Sequence, residues 1–199
     1  METNIVARQL DTLELERRMR PSYLSGGGFL GPIESLESVI IEDAKALDSV
    51  GISHKLVADA LETVLSSMQE QYWRHEFNRR TDYPMLTTPR RIPDFSLGKL
   101  PSIDKGYLVG ELQGFIVQWR GFQECPWECD VEPRWWSFDF LLLNRRTGEF
   151  ITGPGMIVHL IREHHFFEGM ESPYRTDPIR AIRVLGLVQK SRPNMEEAA

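Results

Sequence analysis

The sequence predicts an α+β protein, with a helical N-terminal part of two to three helices followed by a small antiparallel sheet packed with two C-terminal helices. Three observations carry this reading. Apolar residues recur at helical spacing in the first 78 residues, alternation with period two appears only after residue 107, and helix-start signals return near residues 154 and 177. The corresponding boundaries are a helical part over 1–78, a Pro-rich extended connector over 79–106, an α+β domain over 107–190 and a frayed polar tail over 191–199.

Taken in order, Ile5 to Met19 carries Ile5, Leu10, Leu13 and Leu15 among many charges, an irregular stripe that suits an exposed helix or arm. Ser25-Gly-Gly-Gly-Phe-Leu-Gly-Pro32 follows and reads as a flexible hinge. Ile33 to Val50 repeats Leu36, Val39, Ile40, Ala44 and Leu47 at helical spacing and ends near Gly51. Ser53 is an expected N-cap for a longer helix with Leu56, Val57, Ala60, Leu61, Val64, Leu65 and Met68 on one face. The short link between these two helices makes them expected antiparallel neighbours.

From Arg79 to Gly106 four prolines, Pro84, Pro89, Pro93 and Pro101, remove amide donors and fix φ, so the segment is expected to be an extended connector. Strand patterns come next, over Tyr107–Phe122 and Trp136–Leu143. Asn144 to Gly148 forms a turn from which Glu149–Thr152 returns as a hairpin partner. Pro154 is expected to open a helix running to about Phe167 and ending at Gly169. Asp177 as N-cap and Pro178 at the first helical position announce the last helix, with Ile179, Ile182 and Leu185 on one face.

One pattern in the chain has a chemical rationale. Cys125-Pro-Trp-Glu-Cys129 and the helical run His159-Leu-Ile-Arg-Glu-His164-His165 present C-x3-C and H-x4-H, two thiols and two imidazoles of the kind tetrahedral zinc takes. The 29 residues between Cys129 and His159 leave room for a hairpin, giving the order knuckle, hairpin, helix. This resembles a zinc-finger layout in outline only. On helical angles of about 100° per residue, His164 falls near the centre of the stripe of Met156, Ile157, Leu160, Ile161 and Phe167, with His159 and His165 on its margins. His164 is therefore expected to be buried and to need a polar partner. A core histidine satisfied by a carbonyl or carboxylate, with cysteines that only pack, meets that need as simply as a bound zinc does.

The run H-x-x-x-E-H matches neither H-E-x-x-H nor H-x-x-E-H, and a site of two cysteines and two histidines leaves no open coordination position, so if a metal binds its expected role is structural. A hydrolase using His159, Glu163 and His164, with Glu168 or Asp139 nearby, is the competing expectation. In the loop Ser172-Pro-Tyr-Arg, Tyr174 and Arg175 are candidate binding residues, although pairing of Arg175 with Asp139, Glu163 or Glu168 would stitch the loop to the core. The aromatic set Trp119, Phe122, Trp127, Trp135 and Trp136 reads as core or subunit interface. A small-ligand site would instead require Trp135, Trp136 and Arg175 to converge.

A net charge of -6 argues against phosphate backbones as partners, and no apolar run approaches the roughly 20 residues of a membrane span. Met1-Glu-Thr-Asn-Ile-Val-Ala-Arg lacks the basic and apolar regions of a secretory signal, and two cysteines four positions apart suit thiols in a reducing compartment. The expectation is a non-enzymatic cytoplasmic protein with a protein partner and a zinc staple.

Overall fold

The computed structural model describes residues 11–82, 106–119, 123–129 and 137–187, for 75–82 as backbone only. Five helices and one four-stranded antiparallel sheet follow in the predicted α+β order: α1 (Thr12–Met19), α2 (Leu36–Asp48), α3 (His54–Asp82), β1 (Tyr107–Val109), β2 (Leu112–Gln118), β3 (Phe138–Asn144), β4 (Phe150–Pro154), α4 (Ile157–His164) and α5 (Pro178–Leu185). The strands lie side by side in chain order.

Local chemistry accounts for most helix starts. Ser35 Oγ accepts from the Ser38 amide, Ser53 Oγ accepts from Leu56 N at 3.2 Å, and Asp177 Oδ1 accepts from Arg180 N at 2.7 Å, each satisfying an amide that has no helical partner. A further orphan, Leu36 N, donates to Glu16 Oε1 of α1 at 2.8 Å, so the first helix caps the second. Gly186 closes α5 in the left-handed region at φ 70°.

The alternating residues of the sheet separate into two faces. Leu112, Phe138, Phe140, Leu142 and Ile151 join the main core with residues of all five helices, while Phe115, Leu141 and Leu143 form a second cluster with Phe150. Register pairs Leu112 with Asn144 and Gln118 with Phe138 across the long central hairpin. Met68 of α3 lies directly over Gly114 of β2, where a Cβ would collide with its side chain. The main core is therefore continuous from Leu15 in α1 to Val184 in α5.

Several expectations need correction. The glycine run is no free hinge: Phe29 and Leu30 are fully buried, Phe29 N and Leu30 N both donate to Met19 O, and Gly169 N donates to Phe29 O at 2.7 Å. Glycine serves here to admit close approach, since a Cβ at Gly27 would strike Pro173, while Gly28 also turns at φ 73°. Ile33 stands outside α2 and is 89% exposed. Helix α2 packs chiefly on α5, and α3 on α4 and also α5, so the short α2–α3 link does not make those two each other's main packing partners. Helix α3 also runs to Asp82, four residues into the segment read as a connector, because nothing interrupts it before Pro84.

The strand pattern expected over Tyr107–Phe122 resolves into two strands that end at Gln118 and are split at Gly110 with φ 59°. Pro154 ends β4 instead of opening α4, and α4 stops at His164 because His165 takes the left-handed conformation at φ 54°. The expectations for residues 5–10, 83–105, 120–122, 135–136 and the tail lie outside the described residues.

Candidate metal centre

Helix α4 is short but firmly seated. Met156, Ile157, Leu160 and Ile161 are fully buried, worth roughly 1.5–3 kcal/mol for each large apolar side chain. From its outer side Arg162 donates to Asp59 at 3.0 Å and Glu62 at 2.8 Å, both on α3. This seating puts His159 and His164 on the side of the helix where the loop around Cys125 and Cys129 crosses. Glu128 N donates to Cys125 O at 2.9 Å, and Glu128 itself is left-handed at φ 57°, which curls the loop so that both thiols face the helix.

The four side chains converge. One donor atom from each of Cys125, Cys129, His159 and His164 lies within 4.8 Å of the other three, and they make the one cluster of metal-ligating side chains of this kind among the described residues. His164 Nε2 is 3.4 Å from Cys125 Sγ and 3.2 Å from Cys129 Sγ, and His159 Nε2 is 3.3 Å from Cys125 Sγ. In a tetrahedron with Zn–S of about 2.3 Å and Zn–N of about 2.0 Å, a sulfur–nitrogen edge is about 3.5 Å. The separations fit one small ion at the centre, and the identity of that ion is not encoded in them.

Burial is distributed otherwise than the helical wheel predicts. His159 is the more enclosed, at 9% exposed, and His164 is half-buried. The reason is the early end of α4, which leaves His164 on the last turn instead of mid-stripe. Five positions apart, the two residues differ by about 140° around a helix, yet their ring centroids come within 5.1 Å, edge to face. Trp127, between the two cysteines, lies flat on His164 at 3.9 Å with 2° between planes and meets Phe166 edge-on at 5.7 Å. The indole holds that imidazole in place.

Burial favours the neutral forms of three of the four groups, Cys125, His159 and His164. Burial pushes the Cys125 thiol up to about 12, against the N–H groups of Trp127 and Cys129 that point at its sulfur and favour the thiolate. Burial, then the neighbouring His159 and His165, bring His164 down to about 4, and burial also lowers His159. Both imidazoles are thus neutral, with lone pairs to give. A metal ion would supply the positive charge that lets buried sulfur ionise.

The other candidate residues are dispersed. Glu163 is exposed beside the histidines. Asp139 alternates with Phe138 and Phe140, on the sheet face of Leu141 and Leu143, and accepts from Trp119 Nε1 at 2.8 Å. Arg175 does stitch its loop to the core, but through Asp43 of α2 at 2.5 Å and the backbone carbonyl of Glu168, not through the carboxylates of Asp139, Glu163 or Glu168. Tyr174 is half-buried in the same loop. Trp135 and Trp136 lie outside the described residues. Sequence reasoning missed Arg18, whose guanidinium reaches the cysteine loop across 110 positions; no local signal could have announced it.

Comparison with protein-family models, with curated proteins and with solved structures finds no match.

Proposed function

We propose that this chain is a non-enzymatic intracellular interaction protein whose C-terminal half is stapled by one structural Zn2+ on Cys125, Cys129, His159 and His164. The observation that carries the reading is the convergence of four donor atoms within 4.8 Å, with sulfur–nitrogen separations of 3.2–3.4 Å. Two thiolates and two imidazoles match the preference of zinc and saturate a tetrahedral ion. That saturation supports a structural role over the hydrolase reading, since His159 and His164 would both be spent as ligands. Thiols kept as ligands suit a reducing, cytoplasmic setting.

Elemental analysis of untagged protein tests the metal. About one zinc per chain is expected, lost in Cys125→Ser and His164→Ala together with thermal stability. A wild-type chain without metal, whose two thiols titrate freely, would overturn the assignment.

A further inference from the structure

We infer that Arg18 is a positioning residue for the metal centre, through which helix α1 and metal binding reinforce one another. This rests on the zinc reading above. Arg18 Nε donates to Pro126 O at 3.1 Å, and its Nη1 pairs with Glu128 Oε1 at 2.5 Å. One guanidinium thus grips the residues on either side of Trp127, in the middle of the Cys125–Cys129 loop.

An ordinary surface ion pair contributes little, but this contact differs in two ways. The Arg18 side chain is only 13% exposed, so water competes weakly for it. It also holds a backbone carbonyl together with a carboxylate, so it constrains the path of the loop as well as its charge. The loop needs such a constraint. A C-x3-C loop has one residue more than the C-x2-C knuckle of many zinc sites, and here it bends through a left-handed non-glycine residue, Glu128 at φ 57°.

The loop is held from two separate elements. His164 and Phe166 meet Trp127 from the α4 side, and Arg18 holds Pro126 and Glu128 from α1. Helix α1 brings its own anchorage, with Leu15 and Met19 buried in the main core. Anything that orders the loop therefore favours docked α1, and docked α1 favours the loop that presents both sulfurs. Such coupling is reciprocal.

Two measurements on the full chain test it. Zinc affinity, read by competition with a chromophoric chelator, is expected to fall about tenfold in Arg18→Ala, in the range typical of groups that orient ligands. Glu128→Gln, altered at a more exposed side chain, should weaken binding in the same direction with the fold intact, and Arg18→Lys should recover part of the loss. In the wild type, zinc should slow amide exchange across Thr12–Met19. Wild-type zinc affinity in Arg18→Ala and Glu128→Gln, with α1 exchange indifferent to zinc, would overturn the coupling while leaving the metal site standing. Failure of the wild type to bind zinc would overturn both.

Discussion

Ser172 Oγ lies 2.6 Å from Glu168 Oε2 and 3.0 Å from Gly28 O, and it has one proton to donate. Both contacts are bonds if Glu168 is itself protonated and donates to Ser172, which then donates to Gly28 O. Burial points the same way, raising the Glu168 carboxyl from 4.5 to about 8, and its Oε1 has no hydrogen-bond partner. Between those two values the folded chain holds a proton that the unfolded chain has released, so stability from this group is greatest below about 4.5 and is lost as pH rises towards about 8. Denaturation in urea at pH 5, 7 and 9 should show this decline. Glu168→Gln, a permanent neutral donor, should flatten it and be more stable than wild type at pH 9; an unchanged profile would mean the carboxyl is not the source. The neighbouring Asp43–Arg175 pair is buried as well, and burial raises the Asp43 carboxyl against the pull of the guanidinium hydrogen-bonded to it. Its side chains are 2% and 10% exposed, so Asp43→Ala strands a buried guanidinium and should cost about 3–5 kcal/mol in the same assay.

At the scale of elements, what was legible in the sequence is what rests on near neighbours. The caps Ser53 and Asp177 bond to amides three residues on, and Asn144 accepts from Arg146 N and Thr147 N before Gly148 turns at φ 75°. Each could be read from a short window. The four residues of the candidate metal cluster were legible for the same reason, as two local spacings. Their burial was not, because the end of α4 depends on His165 accepting a left-handed backbone, and that histidine stacks on His54 of α3 at 4.3 Å, a contact far away in sequence. The split of β1 from β2 turns on one glycine, too weak a signal against a continuous β pattern. The fit of the glycine run against the 168–173 loop is likewise a tertiary property, invisible in composition. Where a cap is purely conformational its cost can be isolated. Gly186 sits at φ 70° with open space where a Cβ would go, so Gly186→Ala should cost about 1–2 kcal/mol from backbone strain alone. Thermal melts of the two chains would measure it, and a neutral result would mean that α5 ends elsewhere.

The whole molecule is knit by long-range contacts that bring α1 and α2 onto the C-terminal half. Arg18 reaches the cysteine loop, Arg175 reaches Asp43 of α2, Gly169 bonds to Phe29, and the main core takes residues from α1 through α5. A metal held by the cluster in such a body would not stabilise only its surroundings, since the cysteine loop that would present its sulfurs is also held by α1. Metal that binds the folded chain alone should stabilise it by about 4 kcal/mol when free zinc is a thousand times the dissociation constant. That stabilisation should be felt everywhere. On removal of zinc with a strong chelator, helix content followed by far-ultraviolet circular dichroism and the environment of the tryptophans followed by fluorescence should shift to lower melting temperature together. One transition seen by both probes, displaced as a unit, is the expected result. A chelator that lowers the fluorescence transition and leaves the helical one in place would mean instead that α1, α2 and α3 hold a core of their own, with the staple serving the sheet and α4.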